Sequence, residues 1–296
     1  MTAYQVRRTP RHETLRVRGL ETHLTRWGSP PARSDSPVLL LHGWGDTGDT
    51  FQFMVDALGG DWALAAPDWR GFGRSAWPQE GYWFPDYFAD LDALLDALSP
   101  DQPARIVGHS MGGNIANLYA GLRPARVRCL ANLEGFGLPR SSPSAAPGRL
   151  RKWLDQVKST PVLKDFESVE QLAGVIRHRY PRFTEAQSDF VARAWSEPYG
   201  GRVRLLGDAR HRWVNPVRYA REDSEACWRE VKAPVLMVSG DESEYLTKIG
   251  SEACDDEFRR AMPHVEFARV PGAGHMLHIE QAERVAALVE SFLSAH

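Results

Sequence analysis

The sequence contains few cysteines, and their arrangement excludes two common kinds of structural stabilisation. Three occur in 296 residues, at Cys129, Cys227 and Cys254. An odd number at wide spacings fits neither a disulfide framework nor a tetrahedral zinc site. The sequence also offers no glycine-rich loop of the kind that binds phosphates. We therefore expect neither a metal nor a cofactor.

An excess of charge of one sign and a long apolar run are also missing. Lys and Arg total 36 against 38 Asp and Glu, which gives a formal net charge of -2. Without a basic excess, nucleic acid is not an expected partner. Residues 1–19 lack the apolar stretch of a signal peptide, and apolar runs elsewhere are too short to cross a bilayer. We expect a cytoplasmic protein with no membrane partner.

The sequence does show the pattern of an α/β protein. Hydrophobic residues make up 43% and charged residues 25% of the chain, which is typical of a globular protein. Short apolar runs alternate with segments of helical periodicity over residues 38–133 and again from residue 235 to the end. This alternation predicts a mostly parallel central sheet with crossover helices. An antiparallel hairpin is predicted before it, around Gly19 and Leu20.

Residues 138–230 interrupt this alternation. The segment opens with several prolines and serines, which are typical of a loop, and then shows helical periodicity. It carries 17 basic and 12 acidic side chains, a net charge of +5, whereas the rest of the chain carries -7. We interpret it as an insertion in the strand–helix series. Its basic character fits a solvated helical surface, or alternatively a surface that attracts an acidic substrate.

Ser110 carries the clearest catalytic signal. Residues 108–113 read Gly-His-Ser-Met-Gly-Gly between an apolar strand and a helical segment, and they match the pattern G-x-S-x-G. A serine held in a tight strand-to-helix turn needs small neighbours, and Gly108 and Gly112 supply them. Such a turn exposes the hydroxyl and directs helix N–H groups to the same point. We predict that Ser110 is a nucleophile.

A loop near the start of the chain can stabilise an oxyanion. The apolar run at residues 38–41 leads into His-Gly-Trp-Gly at residues 42–45. Such a loop can direct the backbone N–H of Trp44 at the same point as the N–H of Met111. The alternative is that these glycines only form a tight turn.

His275 is the predicted general base. It ends a loop of small residues, Gly-Ala-Gly at residues 272–274, between an apolar strand and the final helix. A neutral imidazole there can accept the proton of Ser110 and return it to a leaving group. The other histidines lack this setting, and His278 is expected at the start of the helix.

Taken together, these segments resemble the α/β-hydrolase fold superfamily, in the form of an esterase-like serine hydrolase that bears a cap. The resemblance extends from about residue 15 to the end of the chain. It is carried by the motifs at residues 42–45, 68–75, 108–113 and 272–275. It implies a core domain of residues 1–137 and 231–296 and a helical cap, or lid, of residues 138–230. Residues 68–75 would then shape a structural loop and take no part in the chemistry.

The acid of the triad is the point at which the sequence departs from the family pattern. The family usually carries an aspartate three residues beyond a glycine after the cap, but three residues beyond Gly240 stands Ser243. A second position known in the superfamily follows the strand before the cap, and Glu134 stands there. An unpaired carboxylate at the end of an apolar strand is costly, and His275 would pair with it. Glu134 is the predicted acid, with Asp241 as the alternative.

These residues predict hydrolysis of a carboxylic ester through an acyl-Ser110 intermediate, with a small-molecule ester as the substrate. A serine at this position excludes the dehalogenase and epoxide hydrolase relatives, which use an aspartate nucleophile. The alternatives are a slow-turnover or non-catalytic ligand sensor of the same fold, or a C–C bond or lactone hydrolase with the same triad.

An aromatic-rich stretch is a candidate wall of the substrate pocket. It comprises Trp77, Tyr82, Trp83, Phe84, Tyr87 and Phe88. Part of it falls at helical spacing, which is equally typical of a helix that faces the core. With the basic insertion, it favours a small or medium ester, including one with an acidic end.

Overall fold

The computed structural model describes residues 3–29, 36–159 and 161–296. It contains a central sheet of eight strands and a separate hairpin of two strands. The central strands are β1 (Arg11–Val17), β2 (Leu20–Trp27), β3 (Val38–Leu41), β4 (Leu64–Pro67), β5 (Ala104–His109), β6 (Val127–Leu133), β9 (Val235–Gly240) and β10 (Glu266–Val270). The hairpin strands are β7 (Ser196–Tyr199) and β8 (Arg202–Leu205).

The helices flank the sheet or belong to the segment between β6 and β9. They are α1 (Gln52–Ala57), α2 (Phe84–Leu98), α3 (Met111–Leu122), α4 (Ala146–Gln156), α5 (Val169–Arg179), α6 (Glu185–Ala194), α7 (Arg221–Arg229), α8 (Glu244–Ile249), α9 (Asp255–Ala261), α10 (Leu277–Glu280) and α11 (Ala282–Ala295). Within the described residues, no helix is both long and apolar enough to span a bilayer.

The sheet is mostly parallel, as predicted, and its order opens a crevice. The order is β1-β2-β4-β3-β5-β6-β9-β10, and only the pairs β1 with β2 and β2 with β4 are antiparallel. The chain leaves β3 towards β4 on one side and leaves β5 towards β6 on the other. Loops that leave neighbouring parallel strands in opposite directions form a crevice at the carboxyl ends of those strands. The loops after β3 and β5 therefore border this crevice.

Both faces of the sheet are buried, which explains why its strands read as continuous apolar runs. Along β3, Leu39 and Leu41 face a cluster that includes residues of α2 and α3. Val38 and Leu40 face the opposite cluster, which includes residues of α1 and α11. Each fully buried leucine side chain contributes about 1.5–3 kcal/mol relative to an exposed one. This packing fixes the ends of the strands from which the site is built.

The segment between β6 and β9 packs on the core in two ways. Leu172 of α5 and Val191 of α6 share a cluster with Phe53 and Ile279 of the sheet-bearing part. In contrast, α7 lies close against α3, and its Trp228 belongs to a cluster on one face of the sheet. The predicted domain boundaries at 137/138 and 230/231 stay a prediction.

The hairpin β7–β8 was not predicted, although the sequence contains a signal for it. Its turn is Gly200-Gly201, and both glycines have positive φ, 55° and 75°. Two glycines between short strands are a hairpin signal, because the favoured two-residue turns need left-handed backbone.

Candidate active site

Ser110 lies at a strained turn between β5 and α3. Its φ is 51° and its ψ is -112°, a conformation that costs a residue other than glycine about 1–3 kcal/mol. A Cβ on Gly112 would lie 2.1 Å from the carbonyl oxygen of Leu41, and one on Gly108 would lie 2.7 Å from the backbone of α3. The N–H of Ser110 donates to the carbonyl of Leu133 at 2.8 Å. Close approach of these segments therefore requires both glycines.

Three side chains from separate loops meet in a hydrogen-bonded row. Ser110 Oγ lies 3.0 Å from His275 Nε2, and His275 Nδ1 lies 3.0 Å from Glu134 Oε2. Because Nδ1 faces a carboxylate, we assign the ring proton to Nδ1, which leaves a lone pair on Nε2 for the serine hydroxyl. This arrangement allows His275 to take the proton of Ser110.

Glu134 directly follows β6, and its side chain is enclosed by donors. The residue is 2% exposed, and its φ of 63° is a left-handed conformation that is uncommon outside glycine. Its carboxylate accepts hydrogen bonds from the N–H of Gly240 at 2.8 Å and from the hydroxyl of Ser243. With His275 Nδ1 as the third donor, the buried carboxylate has the partners that it needs.

Asp241, the alternative acid, occupies a different place. It is exposed, and its Oδ1 accepts a hydrogen bond from the N–H of Gly272 at 2.7 Å. Among the described residues it makes no hydrogen bond to His275. The structure thus brings Glu134 to the imidazole and leaves Asp241 to shape the loop that precedes it.

Ser243 is a site residue for which the sequence predicted no role. It stands where the family usually places its acid, and its hydroxyl donates to Glu134. The available signal was the absence of the family's aspartate at position 243. A polar side chain at that position lies close to Glu134, the carboxylate that takes the place of the aspartate.

The surroundings of His275 favour its neutral form. Tyr245 stacks on the ring with centroids 4.0 Å apart, and the N–H of Gly274 donates to Glu280 at 2.6 Å, which holds the loop. Burial lowers the pKa of the His275 imidazole below its usual value of 6.5. Burial raises the pKa of the Glu134 carboxyl, and the hydrogen bonds from Ser243 and Gly240 oppose that rise. A neutral imidazole at neutral pH is the form that can act as a base.

Two backbone N–H groups of residues that line the cavity with Ser110 have no partner in the described part of the chain. They belong to Trp44 and to Met111, the first residue of α3. The indole of Trp44 is 55% exposed, so only its main chain is a candidate donor. These two N–H groups are therefore the candidates for an oxyanion hole.

His42 orients the peptide that carries the Trp44 N–H. Its Nε2 accepts the N–H of Trp69 at 2.9 Å, so the ring proton is on Nδ1, which lies 2.7 Å from the carbonyl of Gly43. In a trans peptide the carbonyl and the following N–H point in opposite directions. Holding the Gly43 carbonyl therefore fixes the direction of the Trp44 N–H.

The motif at residues 68–75 makes structural contacts. Asp68 accepts hydrogen bonds from the N–H groups of Gly48 and Arg74 and lies 2.9 Å from a ring nitrogen of His23. Arg70 is paired with Asp90. These contacts join the loops after β3 and β4, and neither Asp68 nor Arg70 belongs to the row of Ser110, His275 and Glu134.

A second polar cluster lies next to His275. Asp46, His109 and His278 are buried, with ligand atoms within 4.8 Å of one another, and His109 Nε2 lies 2.9 Å from the carbonyl of His275. Burial holds the pKa of both His109 and His278 well below the usual range. These three residues could hold a metal ion or ordered water. They lie in the loop after β3, at the last residue of β5 and in α10, so sequence spacing does not reveal the cluster.

The row opens on a cavity of about 740 Å³ between the strand ends and residues 138–230. Its walls are mostly apolar. They include Trp44, Phe84, Met111, Phe136, Leu138, Val214, Tyr219 and Tyr245, with Ser110 and Glu134 among the polar lining residues.

A neighbouring cavity of about 270 Å³ is aromatic and shares Trp44, Phe84 and Met111 with the first. It is lined by part of the aromatic stretch and by side chains of residues 138–230. They include Tyr82, Trp83, Tyr87, Trp153, His211 and Trp213. Trp77 and Phe88 line neither cavity: Trp77 is exposed, and Phe88 packs against a core cluster.

Comparisons with known proteins show the family to which the fold belongs. The family model of the alpha/beta hydrolase fold matches residues 36–282. A serine hydrolase-like protein of Danio rerio is 27% identical over 277 residues, which cover 90% of this chain and 83% of that protein. A 2-(acetamidomethylene)succinate hydrolase of Mesorhizobium japonicum is 26% identical over 258 residues, covering 87% of this chain and 88% of that protein.

Solved structures give the same result. The thioesterase domain from the curacin biosynthetic pathway superposes with a TM-score of 0.82 at 28% identity, and the match covers 95% of this chain and 99% of that domain. The match of the family model extends over most of the chain and includes the elements that carry Ser110, Glu134 and His275. The chain therefore belongs to the α/β-hydrolase fold family.

Proposed function

We propose that the protein hydrolyses carboxylic esters by acyl transfer through Ser110. The observation that carries this proposal is the row Ser110–His275–Glu134, with its two distances of 3.0 Å, at the edge of the 740 Å³ cavity. Membership of a hydrolase family supports it.

The row supplies the groups that acylation requires. His275 Nε2 takes the proton of Ser110 as Oγ attacks the carbonyl carbon of the ester, and Glu134 stabilises the imidazolium through Nδ1. The former carbonyl oxygen receives hydrogen bonds from the N–H groups of Trp44 and Met111. His275 then gives its proton to the departing alcohol, which leaves an acyl ester on Ser110.

Deacylation repeats these steps with water. His275 removes a proton from a water molecule that attacks the acyl carbon, and the same two N–H groups hold the second oxyanion. Ser110 leaves with the proton that His275 returns, and the carboxylic acid is released. A serine supports this acyl route over the alkyl ester route of relatives with an aspartate nucleophile, since a serine alkyl ether has no carbonyl carbon for water to attack.

Labelling with a fluorophosphonate tests the proposal, because the reagent reacts with a serine activated by a base and reachable from solvent. We expect one adduct, mapped by peptide mass spectrometry to Ser110 and absent from Ser110→Ala. Unlabelled wild-type protein, or an adduct on another residue, would contradict it.

A panel of substrates with product identification separates this function from its alternatives. We expect turnover of short-chain chromogenic esters with a burst that is lost in Ser110→Ala. Labelled protein without turnover favours a ligand sensor. Turnover of diketones or lactones with negligible turnover of open-chain esters favours the other hydrolase chemistries.

A further inference from the structure

Two arginines of the segment 138–230 line the large cavity and have no carboxylate partner among the described residues. Arg149 on α4 and Arg218 are partly buried, and both line the cavity beside Ser110. Their hydrogen bonds go to main-chain carbonyls: Arg149 Nε donates to Pro216 at 3.2 Å, and Arg218 Nη2 donates to Pro139 at 3.1 Å. Most of each guanidinium is therefore left for another acceptor.

The other arginines of this segment with comparable burial are all paired. Arg204, Arg210 and Arg221 form ion pairs with Glu197, Asp208 and Glu225, respectively. The remaining unpaired arginines of the segment are exposed to solvent. Removing a charge from water is costly unless an opposite charge compensates it. In the described residues, only Arg149 and Arg218 combine partial burial, cavity lining and the lack of a carboxylate.

The rest of the lining adds to this positive character. Lys248 of α8 lines the same cavity, lies over the ring of Tyr245 and forms an ion pair with Glu244 at 3.9 Å. Glu134 is the only carboxylate in the described lining, and it is already bonded to His275 and Ser243. The described lining thus presents two cations without a carboxylate partner, Arg149 and Arg218, and no free carboxylate to a ligand.

We infer that the substrate is an ester that carries an ionised carboxylate, which Arg149 and Arg218 bind. This inference rests on the proposed ester hydrolysis and names its substrate class. Guanidinium groups bind carboxylates with paired, charge-assisted hydrogen bonds. The apolar walls accommodate the chain between the carboxylate and the ester.

Two matched pairs of esters test the inference. In the first, mono-4-nitrophenyl adipate is compared with 4-nitrophenyl hexanoate, so that the charge lies on the acyl side. In the second, 4-acetoxybutanoate is compared with butyl acetate, so that the charge lies on the alcohol side. We expect one anionic ester to exceed its neutral partner in kcat/KM by about 10- to 100-fold, as expected for a charge-assisted contact. The preference should shrink as the salt concentration rises.

Variants locate the preference. Arg149→Gln and Arg218→Gln should each lower the ratio of anionic to neutral kcat/KM by about tenfold or more, mainly through KM for the anionic ester. Arg151→Gln is the matched control, because Arg151 lies on the same helix but is exposed and does not line the cavity. Its ratio should equal that of wild type. Because each value is a ratio within one protein sample, partial misfolding does not change it.

The outcome distinguishes this inference from the proposed function. Labelling of Ser110 with equal or better turnover of the neutral esters in both pairs overturns the carboxylate site and leaves ester hydrolysis standing. If both arginine variants keep the wild-type ratio of anionic to neutral kcat/KM, the assignment of the carboxylate site to Arg149 and Arg218 is wrong as well. Absence of labelling at Ser110 contradicts the proposed function itself.

Discussion

The two sides of the large cavity differ in how their polar groups are satisfied. On the lower side, the loops that follow the strands hold Ser110, His275 and Glu134 in mutual hydrogen bonds. On the upper side, formed by residues 138–230, Arg149 and Arg218 lack a carboxylate partner. The polar side chains of the lower side have their partners without a ligand, whereas the two arginines of the upper side have no carboxylate partner among the described residues. Under the proposed function, the loops of the sheet perform the reaction and residues 138–230 select the substrate.

The largest expected effect on the lower side comes from the acid. Glu134→Gln should lower kcat/KM by roughly 10³–10⁴-fold, because the amide can no longer stabilise the His275 imidazolium or select its tautomer. Steady-state kinetics on a neutral ester measure this loss. Asp241→Asn is the matched control and should stay near wild type, since Asp241 bonds to Gly272. If Asp241→Asn lowered kcat/KM more than Glu134→Gln did, Asp241 would be the acid of the triad.

A double variant sharpens the same comparison. The hydroxyl of Ser243 already reaches the oxygen of Glu134 that faces His275. Glu134→Gln combined with Ser243→Asp should therefore regain part of the lost kcat/KM. No recovery in a double variant that melts like wild type would mean that the carboxylate at position 243 does not reach the imidazole.

The second largest effect concerns the oxyanion. Trp44→Pro removes a main-chain N–H and should lower kcat by about 10²–10³-fold. Trp44→Ala keeps the N–H and removes only an exposed indole, so it should change KM more than kcat. Thermal melts of both variants check that the fold is retained. Equal kcat losses in folded samples of the two would place the oxyanion elsewhere.

The pH profile gives a smaller effect over the accessible range. His275 must be neutral to act, and burial lowers its pKa, so protonation of His275 should not limit kcat/KM around neutrality. It should fall about tenfold per pH unit below a midpoint that lies under 6.5, because acid protonates the base. Rates measured at constant ionic strength give the profile. A midpoint above 6.5 would contradict the pKa shift assigned to His275.

The smallest effect is expected on the upper side. Trp213 lines the neighbouring aromatic cavity, and Trp213→Ala should raise KM for an aryl ester by roughly tenfold through lost apolar contact. The change in kcat should be much smaller. Trp77→Ala is the control, since Trp77 is exposed and lines neither cavity. If Trp213→Ala lowered only kcat, the proposal that residues 138–230 select the substrate and take no part in the reaction would be wrong.

The sheet and the positions of Ser110 and His275 could be predicted because local sequence determines them. Apolar runs mark the buried strands, and Gly108 and Gly112 permit the close approach around the elbow. Glu134 could be predicted as a candidate because a carboxylate at the end of an apolar strand needs a partner. The sequence favoured Glu134 but left Asp241 as an alternative, since both follow strands whose ends meet at the same edge of the sheet.

Other features depend on packing between distant segments, and no pattern in the sequence predicts them. Arg149 and Arg218 resemble the many other arginines of residues 138–230 until their burial and partners are known. The buried cluster of Asp46, His109 and His278 joins a loop, the end of a strand and a short helix. In the aromatic stretch, helical spacing alone did not separate Tyr87, which lines a cavity, from Phe88, which does not.

The position of Glu134 has a consequence for how such proteins diversify. Ser110 and Glu134 each follow the last residue of a strand, and those last residues, His109 and Leu133, are paired in the ladder of β5 and β6. Nucleophile and acid are thus spaced by sheet hydrogen bonds formed before the chain enters residues 138–230. A change in that segment that leaves Trp228 of α7 in the core therefore does not alter the spacing of nucleophile and acid, and only the imidazole must still return to meet them.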